Sequence, residues 1–243
     1  MPQVRSSGGA KSGLPSYPHE ALAVVFQVRT NQLQVLLWER AEEPFARHWA
    51  LPGGLLAANE RLGTTLARQL AAKVDVRELA HLEQLETRSD PARDPRGRRL
   101  ATAYLGIVPA DLEPAVPADT AWHPVENLPR TAFDHRSIIE SGRARLRAKL
   151  SYTTIGYALA PESFTISRLR GLYAAALGHD VAATNLQRVL LRRGALEPTQ
   201  ARAGTTPAGG RPATVYRFRN RRLEITNEFA AFRPPPLSSA QDR

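Results

Sequence analysis

The apolar pattern of this chain shifts from mainly strand-like to mainly helical near residue 137, and that shift restricts its architecture more than any single motif. Before it, short apolar runs at 21–28 (ALAVVFQV), 33–38 (LQVLLW), 82–88 (LEQLETR) and 100–108 (LATAYLGIV) read as strands separated by turn residues. One helical stretch interrupts them. In RLGTTLARQLAAKV, Leu62, Leu66, Leu70 and Val74 recur every fourth residue and share a face able to pack on a sheet. Beyond residue 137 strand signals fade and three helical stretches follow: IIESGRARLRAKLSYTTIGYAL, ISRLRGLYAAAL and AATNLQRVLLRR. Two short β-prone pieces come last, near Leu196 and at 213–219, separated by a Gly/Pro/Thr-rich loop. The implied fold class is α/β: an α/β/α sandwich, then three helices closed by a hairpin, which is the layout of a winged helix-turn-helix.

The 243 residues, 42% hydrophobic and 23% charged, suffice for one large or two modest domains of ordinary globular composition. No Cys is present, which excludes disulfides, thiol catalysis and Cys-ligated zinc. No apolar run approaches the roughly 18 residues of a membrane span, and MPQVRSSGGAKSG lacks the apolar core of a signal peptide. A cytoplasmic protein without membrane contact is expected. Polar or Pro-rich ends at 1–16 and 227–243 are expected to be flexible, flanking domains at 17–142 and 143–226, with 143–158 as a connecting helix. The net charge of +10 is uneven, since residues 150–243 carry 13 basic and 6 acidic side chains against 20 and 17 in residues 1–149. A polyanion partner for the second half is the electrostatic implication.

Several residues before 137 have the chemistry of a phosphate site. WALPGG supplies a turn in which Gly53 and Gly54 can bring backbone N–H groups close to an anion. RDPRGRR at 93–99 is an Arg-rich turn whose Arg96 and Arg98 can fork onto phosphate, as can Arg40 near the end of the second strand. Trp49, Phe45 or Tyr104 can stack on a base. Phe133, Asp134 and His135 read as a buried capping cluster opening the next helix. Positions 69, 72 and 73 share one face of the helix after the turn. Three carboxylates there would make a cage for Mg²⁺, which wants hard anionic oxygens. The residues present are Gln69, Ala72 and Lys73, and an ammonium beside a cation costs on the order of 1 to 4 kcal/mol at 4 Å, depending on the dielectric. The other acids near enough in sequence to substitute, Glu39, Glu42, Glu83 and Glu86, read as solvated strand and loop charges.

The second half carries a different constellation. Ser163 or Thr165 can cap a helix bearing Ile166, Leu169, Leu172, Tyr173 and Leu177, which Gly178 ends. His179 and Asp180 then form a turn. A second helix from about Val181 to Arg193 buries Val181, Leu186, Val189 and Leu190 and exposes Thr184, Asn185, Gln187, Arg188 and Arg192. Those are side chains of the types that read base edges and hold phosphates. Arg168 precedes them, and Arg211, Arg217 and Arg219 are candidates for a wing that touches the DNA backbone. Arg143, Arg145, Arg147 and Lys149 form a basic row on the connecting helix, available to phosphate or to solvent.

The segment LPGGLLAANERLGTTLARQLAAKVDV resembles the Nudix signature G-x5-E-x7-R-E-U-x-E-E-x-G-U. Gly54, Glu60 and Arg68 fall on its first fixed positions and Leu70 and Val76 on apolar ones, while Gln69, Ala72, Lys73 and Asp75 replace its later glutamates and glycine. In that family the glutamates hold the divalent metals that activate water against a diphosphate. A Nudix-like domain followed by a winged helix resembles the NrtR family, the Nudix-related transcriptional regulators of NAD metabolism. PFARHWALPGG, FDH at 133–135, TNLQR and GALEPT with GRPATVYR carry the resemblance. It implies a homodimeric repressor of genes for NAD synthesis or salvage, bound to a palindromic operator in double-stranded DNA. Its effector would be ADP-ribose or a related NAD metabolite, bound near Arg40, Trp49, Gly53, Gly54, Glu60, Arg96 and Arg98, and it would release the DNA. No cofactor, metal or catalytic residue is required on this reading. An active Nudix hydrolase (an ADP-ribose pyrophosphatase) with an accessory winged helix, and a nucleotide-sensing module that contacts proteins, stand as the alternatives.

Overall fold

A computed structural model describes residues 15–74, 76, 78–202 and 212–226, the side chain of Arg202 excepted. Asp75, Arg211, most of the expected N-terminal tail and all of the expected C-terminal tail lie outside the described residues. The longest strand, β1 (His19–Arg29), is buried at every position from Ala21 to Val28, as a central strand covered on both faces must be. It pairs with β2 (Gln32–Glu39) through the tight turn at Thr30 and Asn31, both at positive φ, and runs parallel to β6 (Leu100–Ile107). The sheet path is β3 (Trp49–Ala50), β2, β1, β6, β5 (His81–Arg88), with β4 (Gly53–Leu55) paired to β1 and β7 (Thr120–Pro124) paired to β2.

Alternation along β1 divides the core. Ala21, Ala23 and Val25 face α1 (Leu62–Val74), whose Leu66, Leu70 and Val74 are buried as their spacing predicts, with Leu62 partly buried beside them. Leu22, Val24 and Phe26 face α2 (His135–Tyr152), which buries Ile138, Ile139, Leu146 and Leu150. That second cluster continues into the C-terminal part through Leu169, Leu172, Leu186 and Phe218, so α2 joins the sandwich to the winged helix through apolar packing. Leu146 is fully buried at this junction, and Leu146→Ala is expected to cost ~2–5 kcal/mol by urea unfolding. A loss below ~1 kcal/mol would mean that α2 carries little of the packing.

The helical stretch read across 138–159 breaks at Thr153, which is extended (φ −128°, ψ 176°), and the short α3 (Gly156–Leu159) follows. The cause is hydroxyl competition with the helix. Thr153 Oγ1 donates to the Lys149 carbonyl at 2.7 Å and accepts the Ile155 N–H at 3.2 Å, and Thr154 Oγ1 donates to the Arg222 carbonyl at 2.8 Å. Helix α2 itself begins at His135, so it straddles the expected domain boundary at 142/143.

Downstream, α4 (Ile166–Leu177) starts at Thr165, whose hydroxyl accepts the Arg168 N–H at 3.3 Å, and ends at Gly178 in the left-handed region (φ 76°). Helix α5 (Ala183–Arg192) starts two residues later than its apolar pattern suggests. The Asp180 carboxylate accepts the Val181 N–H at 2.8 Å and the Arg170 guanidinium at 2.5 Å, and the Val181 carbonyl accepts Arg170 Nε at 2.9 Å, which holds Val181 in the turn. Leu186 and Leu190 are buried on α5, while Val181 and Val189 are only half-buried. Strands β9 (Leu196–Arg202) and β10 (Thr214–Phe218) form the wing hairpin, and β8 (Phe164–Thr165) adds a third strand. The α/β fold class and the winged helix after the sandwich are those expected from the pattern.

The basic row on α2 is neither simply solvated nor left open to an external phosphate, because carboxylates and carbonyls of the chain itself partner it. Arg143 bonds Glu126, Arg145 Nη2 donates to the Leu85 carbonyl at 3.2 Å, Arg147 Nε reaches the Ala176 carbonyl at 3.5 Å, and Lys149 meets Glu83 at 2.9 Å. Intramolecular packing claims these side chains because both faces of α2 meet folded protein. Glu83 is correspondingly not a solvated strand charge: it also meets His81 at 3.2 Å and is only 17% exposed.

Candidate functional sites: a cationic cavity and an exposed helix

Where β2, β4 and α1 converge with the 94–99 turn, a cavity of about 510 Å³ opens, a volume suited to a nucleotide-sized ligand. Five cationic side chains (Arg40, Arg68, Lys73, Arg96, Arg99) and two carboxylates (Glu20, Glu42) line it. Gly53 and Gly54 form its rim on β4. Gly53 lies opposite Leu22 in the β1–β4 pairing, and an added Cβ would stand 2.2 Å from the Ala21 carbonyl oxygen. The turn must therefore be glycine for the strands to close.

Phe133, held at φ 51°, projects into this cavity between two guanidinium groups, Arg40 at 5.0 Å and Arg96 at 5.1 Å from its ring centroid. The sequence reading placed it in a capping cluster. Asp134 likewise makes no side-chain cap, because Arg93 takes its carboxylate at 2.9 and 3.1 Å. His135 is buried, and its Nδ1 accepts the Leu51 N–H at 3.0 Å. Burial pushes the imidazole down to about 3, so the ring is neutral with its proton on Nε2. The unfolded chain binds that proton near pH 6.5, so folding stability falls as pH drops from about 6.5 towards 3. His135→Gln is expected to flatten the stability curve by up to ~1.4 kcal/mol per pH unit in that window, read by urea unfolding at pH 5, 6 and 7. Identical curves would show that His135 does not titrate on unfolding.

Arg96 grips Asp94 with Nε at 2.9 Å and Nη2 at 2.5 Å. Burial opposes ionisation of Asp94, yet the side-chain and backbone bonds from Arg96 and the charge of Arg99 hold its carboxyl below the ordinary value. Lys73 donates from Nζ to the Gly53 carbonyl at 2.8 Å, and burial, reinforced by the Arg40 charge, lowers its pKa.

Of the expected effector residues, Arg40, Gly53, Gly54 and Arg96 line the cavity together. The other three do not. Trp49 packs edge-on against His123 at 4.2 Å, and Trp38 lines the cavity in its place, its Nε1 donating to the Leu51 carbonyl at 3.2 Å. Arg98 lies over the Tyr17 ring at 5.0 Å, and the adjacent Arg99 turns inward to Glu20 and Asp94 at 3.5 and 3.4 Å. Glu60 accepts two bonds from Arg68 at 2.7 Å and one from Thr65 at 2.8 Å, which hold its carboxyl at about 2. Period-two alternation could have shown that Arg98 and Arg99 point to opposite sides; which side meets the cavity could not be read locally. Among the described residues, no group of three or more His, Asp or Glu is arranged to hold a metal ion.

On α5, Thr184, Asn185, Arg188 and Arg192 are exposed. Arg188 donates to Asn185 Oδ1 at 2.8 Å, an i, i+3 contact that orders the pair. Gln187 is not available in the same way: its amide donates to Tyr216 Oη on β10 at 2.9 Å, tying helix to wing. Arg217 and Arg219 are both on the solvent side of the wing and meet Glu197 at 2.6 and 3.6 Å. Arg168 lines a groove with Thr30 and Asn31 at the junction with the sandwich, a groove to which α5 contributes no residue. Arg211 lies outside the described residues. No helix among the described residues is long and apolar enough to cross a membrane.

Residues 18–141 match the NUDIX domain, and residues 156–218 match the NrtR DNA-binding winged helix domain. The ADPR responsive transcriptional repressor NtrR of Acinetobacter baylyi is 31% identical over 215 residues, covering 86% of this chain and 84% of that protein. The ADP-ribose pyrophosphatase of Methanocaldococcus jannaschii is 31% identical over 127 residues, covering 51% of this chain and 73% of that protein. Shewanella oneidensis NrtR, crystallised with a 27mer DNA, is similar at a TM-score of 0.72 and 31% identity, covering 82% of this chain and 92% of that chain. The resemblance carried by the motifs is borne out along nearly the whole described chain. A Nudix domain joined through one helix to an NrtR winged helix makes this chain a member of the NrtR family.

Proposed function

We propose that this chain is a sequence-specific DNA-binding repressor of genes for NAD synthesis or salvage, and that its Nudix domain is the receptor for ADP-ribose or a closely related NAD metabolite. The observation that carries the reading is the pairing, on one continuous core, of a cation-rich cavity with an exposed Thr184–Asn185–Arg188–Arg192 face. The naming of the Acinetobacter relative as an ADPR responsive repressor and the DNA complex of Shewanella NrtR support it. The effector domain is assigned to 17–142 and the DNA-binding domain to 143–226. A homodimer would set two α5 helices about 34 Å apart, one turn of a palindromic operator. The chain works as a receptor rather than a hydrolase, since Gln69, Ala72 and Lys73 give α1 no carboxylate face.

Release follows from the route between the two surfaces. The cavity floor at Phe133–His135 leads into the first turn of α2, and α2 packs on α4 of the winged helix. A ligand that draws the Gly53–Gly54 turn and the 94–99 turn together displaces Leu51 and Arg93, the partners of His135 and Asp134. A coupling energy of about 1–3 kcal/mol would weaken operator binding roughly 5- to 150-fold.

The test is fluorescence anisotropy on a palindromic duplex from the upstream region of the chain's own operon, with and without ADP-ribose. Binding should be steeply salt-dependent, and Arg188→Ala should weaken it by ~1–3 kcal/mol while lowering the slope against log salt by about one. ADP-ribose binding without any DNA shift would favour the protein-contact alternative. Turnover of ADP-ribose with Mg²⁺ or Mn²⁺ would favour the hydrolase.

A further inference from the structure

Along the wall of the cavity, cations and aromatic rings alternate. Lys73 Nζ lies 4.8 Å from the Trp38 ring centroid, the Arg40 guanidinium 5.9 Å from the same ring and 5.0 Å from Phe133, and Arg96 5.1 Å from the far side of the row at Phe133. Four segments distant in sequence build this row: β2 carries Trp38 and leads directly into Arg40, α1 carries Lys73, the 94–99 turn carries Arg96, and Phe133 precedes α2. An aromatic face steadies a cation without neutralising it, unlike a carboxylate partner. Arg96 is shared with the Asp94 carboxylate at 2.5 Å, while Arg40 and Lys73 donate to the Pro44 and Gly53 carbonyls, neutral acceptors that leave their charge to act on an anion that enters.

At its inner end the row meets the place where a Nudix fold implies a divalent metal, and the donors present do not fit one. Mg²⁺ requires several hard oxygen ligands in octahedral array. The face of α1 offers the Gln69 amide, the Ala72 methyl and the Lys73 ammonium. A backbone oxygen beside that face, the Gly53 carbonyl, is already the acceptor of Lys73 Nζ at 2.8 Å. It also receives the Gln69 amide nitrogen at 3.3 Å, when that amide is turned so that its oxygen accepts from Arg68 at 3.1 Å. An amide and an ammonium thus hold the carbonyl that rims the cavity.

We propose that Lys73 is the resident cation of this pocket, the inner end of a Lys73–Trp38–Arg40–Phe133–Arg96 row that binds the diphosphate of the effector without a divalent metal. The inference rests on the receptor reading above for the identity of the ligand, but not for its chemistry. Lys73 neutralises one phosphate from the α1 side, while Arg40 and Arg96 supply planar donors across the Gly53–Gly54 rim. A metal entering beside Lys73 would face like charge rather than a ligand set. Lys73 is a ligand-binding and specificity residue: it selects a diphosphate and sets the metal requirement of binding.

Calorimetric titration of the full chain, in magnesium and separately in EDTA, decides the matter with three probes: ADP-ribose, inorganic pyrophosphate and adenosine. The wild type should bind ADP-ribose with the same Kd, within twofold, in both buffers. Lys73→Met should bind it at least tenfold more weakly, lose pyrophosphate, and keep whatever affinity the wild type has for adenosine. Lys73→Arg should recover part of the loss. A wild-type Kd that worsens tenfold or more in EDTA overturns the proposal even if Lys73→Met fails to fold, and so does a folded Lys73→Met within twofold of wild type. Metal-free binding of pyrophosphate, lost in Lys73→Met, with no binding of ADP-ribose would uphold the cation row while removing ADP-ribose as the effector. Absence of both ligands from the wild type overturns both.

Discussion

Gly53→Ala is expected to weaken effector binding more than tenfold and to lower the folding stability of the protein by ~1–3 kcal/mol. The methyl would stand 2.2 Å from the Ala21 carbonyl oxygen and 3.0 Å from Leu22 Cα, both backbone atoms of the central strand that cannot rotate away. To admit it, β4 must separate from β1 at the Leu22–Gly53 pair, which moves the Gly53 carbonyl away from Lys73 and opens the cavity rim. Gly63→Ala is the control. It lies in the first turn of α1 with nothing within 4 Å of the added Cβ, and alanine there should stabilise the helix by ~0.5–1 kcal/mol. Thermal melting and titration with ADP-ribose would read both variants. Equal stability and affinity in Gly53→Ala would show that the rim tolerates a side chain and that the turn does not shape the pocket.

His135→Leu is expected to uncouple the two halves. Leucine preserves the bulk of the ring but accepts no hydrogen bond, so the Leu51 N–H, now paired at 3.0 Å, would be buried without a partner at a cost of ~1–3 kcal/mol. Leu51 precedes the glycine turn and His135 opens α2, so this bond is the direct polar link between the cavity rim and the helix that reaches the winged domain. The Arg93–Asp134 pair makes a second link from the Arg-rich turn to the same helix end. In His135→Leu, ADP-ribose should still bind within a fewfold of wild type, while its effect on operator affinity drops from the expected 5- to 150-fold to below about threefold. Anisotropy titrations at zero and saturating ADP-ribose measure the ratio directly. An unchanged ratio would remove His135 from the route and leave the coupling to Arg93 or to the packing of α2.

The residues that sequence alone places correctly are those whose role depends on near neighbours in the chain. Leu66, Leu70 and Val74 point inward because a four-residue spacing defines a helix face. Gly178 ends α4, and Thr165, one of the two cap candidates beside Ser163, starts it, because both effects act within one turn. The loss of the carboxylate face on α1 is likewise readable from positions 69, 72 and 73 without coordinates. Order along the chain also sufficed for the two-part α/β architecture, since the period of the apolar pattern reports the element type.

What tertiary structure alone decided is which side chains meet the cavity and which charge already has a partner. Trp38 rather than Trp49, and Arg99 rather than Arg98, face inward because β2 and the 94–99 turn are set by pairings to β1 and to Glu20 far away in the chain. Phe133 and His135 join the site through contacts with residues 37 and 84 positions away, Arg96 and Leu51. Lys149 and Arg145, which read as solvated or anion-seeking, are held by Glu83 across more than sixty residues. Local periodicity fixes the side of an element on which a side chain lies. Long-range registry decides what that side touches, and one residue of strand register exchanges the two faces.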